Sequence, residues 1–244
     1  MKNCPQAKAC FSSRQYGEEC GVFGIALKEG SQLSAAHSVY TALYALQHRG
    51  QQTAGIASVD QGKFHLHKGP GLVPDVFNDR NLKPLTGPAA IGHVRYASGG
   101  DTATINAQPL VITHASGSMA VCYNGRLVNA DELRRETENR GGIFQSSNSA
   151  EVIAYLLVRE RMRAGTIEDA IINAMQYMVG AYSVVVLTQG KLVAFRDPNG
   201  FRPLCIGEVD GSIMFASESC AFPVLGGHLI REVEPGEVVV ADLG

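Results

Sequence analysis

A chain of 244 residues, 45% hydrophobic and 18% charged with a formal net charge of −2, can bury one sizeable core and reads as a single domain. That charge balance excludes an electrostatic nucleic-acid binder and offers no polybasic patch for a membrane surface. No run of about 18 apolar residues exists, which excludes an ordinary transmembrane helix.

Met1 to Glu19 carries Lys2, Lys8 and Arg14 without an apolar stretch, so it does not read as a secretory signal. Cys20 to Leu27 first alternates and then runs apolar, as a strand does. Ser31 to Gln47 places Ala35, Ala36, Val39, Tyr40, Leu43, Tyr44 and Leu46 at helical spacing, and Gly50 stops it. Thr53–Val59 and Lys63–Lys68 flank Asp60-Gln61-Gly62 as a hairpin. Further strands are predicted at Ala89–Tyr96 and Ser118–Tyr123, with a loop from Ser98 to Leu110 between them. Asn129 and Glu132 read as a capping pair that opens a charged helix reaching about Asn139. Asn148–Met162 and Thr166–Met178 are amphipathic and helical. Short strands follow at Ala181–Thr188, Lys191–Arg196, Leu204–Gly207, Ser212–Ala216 and Leu229–Val240, the last broken near Pro235-Gly236. Strands, then helices, then strands again predict antiparallel sheets with helices outside them.

The six cysteines form no C-x-x-C pair and none sits at zinc-finger spacing from a histidine, so a self-contained metal site is not expected. Cys122, Cys205 and Cys220 read as small core residues, and the expected compartment is reducing, hence cytoplasmic. Cys20 is different. It stands where a polar leader meets the first apolar strand, and Gly21 beside it leaves room for a substrate. A buried strand-start cysteine is an equal alternative on this local context alone.

Three polar clusters carry alternatives of their own. Arg95, at the end of an apolar strand, suits a fork that holds a carboxylate, or a side chain reaching solvent. Asn124-Gly125 after a strand reads most simply as a turn; its amide and the glycine N–H would equally form a two-donor oxyanion hole. Ser146-Ser147-Asn148-Ser149 precedes a helix and reads as an N-cap cluster, or as acceptors for a substrate ammonium group.

Taken in order, Cys20-Gly-Val-Phe-Gly-Ile, Leu46-Gln-His-Arg-Gly-Gln, Gly92-His-Val-Arg-Tyr, Asn106-Ala-Gln-Pro, Tyr123-Asn-Gly, Arg196-Asp-Pro-Asn-Gly-Phe-Arg-Pro-Leu, Ala216-Ser-Glu-Ser-Cys-Ala and Val233-Glu-Pro-Gly-Glu resemble the class II glutamine amidotransferases. Within them they resemble the glutaminase domains of amidophosphoribosyltransferases. The resemblance covers nearly everything from Cys20 onward. It implies an α+β fold of the N-terminal-nucleophile hydrolase type, a four-layer αββα sandwich with two antiparallel sheets.

The resemblance also implies roles. Cys20 attacks the glutamine side-chain amide and its own α-amino group, with a pKa of about 7.7–8.0, takes the proton. Asn124 and Gly125 hold the oxyanion. Arg95 and Ser98 bind the substrate's α-carboxylate end, and Arg49 supports the pocket. Ser149 falls where the family pattern has an Asp for the α-ammonium, with Asn148 as the alternative. On this reading residues 1–19 are a propeptide-like leader whose removal frees the amine, and residues 20–244 are the glutaminase domain. The ammonia goes to a phosphoribosyltransferase domain or subunit that uses phosphoribosyl pyrophosphate to make 5-phosphoribosylamine; its Val-Asp-Asp-Ser type motif is absent from this sequence. The implied assembly is a homo-oligomer when complete. No cofactor is implied within this chain; magnesium and, in some members, an iron–sulfur cluster go with the other half. The competing readings are a non-catalytic glutamine-binding or partner module, another class II amidotransferase, and a hydrolase of a different small amide.

Overall fold

The computed structural model describes residues 20–96, 104–115 and 117–243. The leader, Cys4 and Cys10, and Ser98 lie outside the described residues. Among the described residues the strands form two sheets in which each neighbouring pair runs antiparallel. One sheet has the order β11-β9-β10-β1-β4-β2-β3, where β1 is Gly21–Ala26, β2 Thr53–Asp60, β3 Lys63–Pro70, β4 Ala89–Arg95, β9 Cys205–Val209, β10 Ser212–Ala216 and β11 His228–Glu232. The other has the order β12-β8-β7-β6-β5, with β5 Leu110–His114, β6 Gly117–Leu127, β7 Gly180–Thr188, β8 Lys191–Arg196 and β12 Val238–Asp242.

Three apolar clusters define four layers. Helix α1 (Ala35–Ala45) and the short α2 (Val73–Val76) and α3 (Asp79–Leu82) cover one face of the larger sheet through Val39, Leu43, Phe23 and Ile25. The close approach of α1 needs Gly92 in β4, where a Cβ would sit 2.3 Å from Val39 Cγ1. Helices α4 (Ala130–Glu138), α5 (Ser149–Arg161) and α6 (Ile167–Met175) cover the outer face of the smaller sheet, against Met119, Val121, Tyr123, Val184 and Val186. Between the sheets lies a third cluster of Val22, Ala57, Ile91, Ala120, Cys122, Val185 and Ala194. Strand periodicity explains the partition. Successive side chains point to opposite faces, so both faces of β1 and β7 are apolar, and each fully buried Val, Ile or Phe contributes about 1.5–3 kcal/mol. The αββα sandwich expected from the sequence is the fold that forms.

Several elements differ from the sequence reading. The sequence reading has no strand between Leu110 and Ser118, where β5 (Leu110–His114) forms and pairs with β6. Strand β6 does not end at Tyr123 but passes through Asn124-Gly125 to Leu127, because both residues stay paired with β7; the turn reading fails. Asn129 makes no side-chain cap on α4. Its amide instead joins two segments, donating to Tyr177 O at 2.8 Å and accepting from Val179 N at 3.1 Å. The final strand does break at Pro235-Gly236, and the break carries the chain from the edge of one sheet to the edge of the other. Cys122 and Cys205 are buried, but Cys220 is exposed, with its Sγ 3.7 Å from Glu218 Oε2.

The Arg196-Asp-Pro-Asn-Gly-Phe-Arg run is a structural knot. Buried Asp197 accepts from the backbone N–H groups of Tyr182 (3.1 Å), Asn199 (3.0 Å), Phe201 (3.2 Å) and Arg202 (3.3 Å). Arg196 donates to the carbonyls of Arg202, Gly200 and Val233 at 2.6, 2.7 and 2.8 Å. Asp197→Ala strands those N–H groups and is expected to cost about 3 kcal/mol or more, read as a lower denaturation midpoint with an unchanged m-value.

Candidate active site

The layer between the sheets is apolar over most of its length and turns polar at one end. The strand alternation that puts Val22, Ile91, Ala57, Cys122 and Val185 inside continues to His93, Thr53, Asn124 and Ser183. Register brings them together: Val22 pairs with His93, Thr53 with Arg95, and Asn124 with Ser183. The link between the sheets is direct, since the buried His93 ring donates from Nε2 to Tyr123 O at 3.1 Å. Among the described residues, Thr53 Oγ1, His93 Nδ1, Ser183 Oγ and both ends of the Asn124 amide have no hydrogen-bond partner. Such a concentration of unpaired buried polar atoms is unusual.

Cys20 sits at this end, just before β1 and half-buried. Its φ is +62°, a left-handed conformation disfavoured for residues with a Cβ. Its backbone N–H donates to Arg49 O at 3.0 Å and its carbonyl accepts from Arg49 Nε at 2.8 Å. Its Sγ lies 3.6 Å from Tyr96 O. Burial raises the Tyr123 hydroxyl well above the ordinary tyrosine range, and the nearby Cys20 adds to that shift.

Arg49 was expected to support the pocket around Cys20. It is 1% exposed and its guanidinium holds Cys20 O and the Glu218 carboxylate, so it shapes the Cys20 backbone. Arg95 is the last residue of β4, half-buried, at the same end of the sheet. Asn124 is buried completely. Gly125 has φ +145°, and a Cβ there would meet Ala181 O at 2.1 Å, so no other residue fits. Asn148 caps α5, its Oδ1 accepting from Ala150 N at 2.9 Å while its Nδ2 donates to Asn106 O at 2.7 Å. Ser149 is the first residue of α5 and half-buried. The only carboxylate of that segment, Glu151, is taken by Gln145 N, Ser146 N and Ser146 Oγ.

Besides His93, sequence reasoning missed three supports. Gln108 extends the sheet where β5 ends, its carboxamide accepting from Tyr123 N at 2.7 Å and donating to Tyr123 O at 3.2 Å. With His93 it fixes the peptide just before Asn124. Lys68 in turn pins the Gln108 segment, donating to Ala107 O at 2.6 Å and Pro109 O at 3.3 Å; burial lowers its pKa. Glu218 is the third. Each of His93, Gln108 and Glu218 lies inside a motif already picked out, and a lone polar residue in an apolar strand was the available signal for His93. Among the described residues, no group of three or more His, Cys, Asp or Glu side chains could hold a metal ion.

Burial lowers the pKa of His93 to about 3, against a raising contribution from the Tyr123 carbonyl and lowering ones from Arg95 and Lys68. The unfolded chain binds this proton below about 6.5 and the folded chain only below about 3, so stability falls as pH drops through that window. His93→Gln keeps a donor without a titrating ring. Urea midpoints measured between pH 7 and about 4.5 are expected to fall less steeply for this variant than for the parent chain.

Comparison with known proteins gives the family. A family model described as a glutamine amidotransferase domain matches residues 93–223, more than half of the chain. The amidophosphoribosyltransferase of Methanocaldococcus jannaschii is 47% identical over 220 residues, covering 90% of this chain and 46% of that protein. That of Bacillus subtilis is 44% identical over 224 residues, covering 91% and 46%. A solved structure of glutamine phosphoribosylpyrophosphate amidotransferase from B. subtilis superposes with a TM-score of 0.82 at 43% identity, over 91% of this chain and 47% of that one. The chain thus spans about half the length of the relatives it matches. With the αββα fold and Cys20, His93 and Asn124 at one end of its inter-sheet layer, the chain belongs to the glutamine amidotransferase domain family.

Proposed function

We propose that this chain hydrolyses glutamine to glutamate and ammonia through a thioester on Cys20. The observation that carries this reading is Asn124. It is fully buried, beside the end of the sheet that bears Cys20, with neither amide atom hydrogen-bonded among the described residues. An unpaired buried amide costs about 1–3 kcal/mol, and a developing oxyanion at that point gives its Nδ2–H groups the partner they lack. The Gly125 N–H is the second donor. Cys20 Sγ attacks the amide carbon of the glutamine side chain; its α-amino group, free when Cys20 is the first residue, takes the thiol proton and passes it to the departing ammonia. Water then attacks the thioester, giving glutamate and the free thiol. Thiol and amine supply nucleophile and base, so no cofactor enters these steps.

Arg95, with Ser98 beyond it in sequence, is assigned to the α-carboxylate. The domain boundary is placed at Cys20. The relatives named amidophosphoribosyltransferase support ammonia delivery to a phosphoribosyltransferase domain or subunit using phosphoribosyl pyrophosphate; a cytoplasmic location and a homo-oligomeric assembly belong to the same proposal. No helix among the described residues is long and apolar enough to cross a membrane.

Diazo-oxo-norleucine, a glutamine analogue, should label Cys20 in protein whose first residue is Cys20, and glutamine should protect it. A chain with a free Cys20 amine that neither turns over glutamine nor takes the label refutes the proposal and favours a non-catalytic module. Asn124→Ala should lower kcat about 10²–10³-fold.

Ser149 and Asn148 set the affinity. With Asn148 committed to the helix start and Glu151 to its own loop, that segment offers the ammonium group no free carboxylate. Ser149→Asp supplies one, and the glutamine KM should fall on the order of tenfold with little change in kcat. An unchanged KM removes Ser149 from the binding site.

A further inference from the structure

The left-handed backbone at Cys20 persists only because its neighbours hold it. Arg49 takes both backbone groups of Cys20, and its buried guanidinium requires a counter-charge. Glu218 supplies that charge: Arg49 Nη1 donates to Glu218 Oε1. The other carboxylate oxygen, Oε2, faces His48 Nε2 at 3.0 Å, while His48 Nδ1 faces Ala45 O at 3.2 Å. Both ring nitrogens therefore meet acceptor oxygens. Glu218 follows Ser217, which exchanges two hydrogen bonds with Val22: Ser217 N to Val22 O, and Val22 N to Ser217 Oγ, both 3.0 Å. The two residues after β10 thus brace the nucleophile from either side, one through Val22 and one through Arg49.

We propose that Glu218 is a positioning residue for the reaction: acting through Arg49, it locks the Cys20 backbone in the conformation that presents the thiol to the amide carbon. This rests on Cys20 being the glutaminase nucleophile. Among the described residues Glu218 is joined to Cys20 through Arg49, whose guanidinium bonds both, so its influence is assigned to pass through Arg49. Burial pushes the Glu218 carboxyl up, but its contacts with Arg49 and His48 outweigh burial and hold it below the usual range. The clamp is charged at neutral pH and is released only as acid protonates Glu218 through that lowered pKa. Cys220, 3.7 Å away, is the remaining titratable group in contact with it among the described residues.

The test is a double-mutant cycle on Glu218→Gln and Arg49→Gln, read as glutamine kcat, glutamine KM and the alkylation rate of Cys20 by iodoacetamide, followed peptide by peptide by mass spectrometry. Glu218→Gln should lower kcat about 10- to 100-fold, as expected for a misplaced reacting group, with KM within about twofold. Glu218→Asp should recover part of the loss. The double variant should be no slower than Arg49→Gln alone, since the two act as one unit. Additive losses, or a Glu218→Gln variant with the parental kcat, overturn the proposal. If the parent chain with a free Cys20 amine hydrolyses no glutamine, the glutaminase reading fails. The alkylation arm still decides on Glu218: a rate changed at least about threefold, non-additively with Arg49→Gln, upholds its hold on Cys20, and an unchanged rate overturns it. Should Glu218→Gln fail to fold, Glu218→Asp carries the same cycle.

Discussion

The arrangement depends on where the layer between the two sheets runs out of apolar side chains. Over most of their contact the sheets meet through small and β-branched residues, Ala57, Ala120, Val185 and Ala194 among them, and water is excluded. At the end that holds Cys20 the same inward positions carry Thr53, His93, Asn124 and Ser183, and Thr53 Oγ1, His93 Nδ1, Ser183 Oγ and the Asn124 amide find no hydrogen-bond partner among the described residues. A folded chain tolerates such a cluster only when the stability gained elsewhere offsets it. Three apolar clusters and the Asp197 knot supply that offset.

The polar end is held by backbone contacts more than by side-chain pairs. His93 and Gln108 grip the Tyr123 peptide, which orients the next residue, Asn124. Arg49 grips Cys20 in the same manner. In each case a side chain replaces a strand partner where the ladder stops: β5 starts beyond Gln108, and β1 starts after Cys20. Reactive groups are thereby set at the margins of regular structure, where geometry departs from the pleat, yet on scaffolding as firm as the sheet itself.

Much of this was legible in the sequence. Period-two alternation marked most strands, Ala and Leu spacing marked α1, and the eight ordered motifs picked out Cys20, Arg95 and Asn124-Gly125. What misled were local signals with more than one use. Asn-Gly is a strong turn signal, yet pairing with β7 keeps Asn124-Gly125 extended. Asn129 has the spacing of a cap, yet Tyr177 and Val179, far away in sequence, claim its amide.

The sequence alone determined the layers and the family, because alternation and motif order depend on local chemistry that any reader of the chain can see. It also marked Ser149 as a departure in the site. Only the tertiary structure decided which polar residues are partners. The bonds from Arg49 to Glu218, from His93 to Tyr123 and from Gln108 to Tyr123 join positions 169, 30 and 15 residues apart. Such contacts exist only once the sheets have stacked and set the register between them.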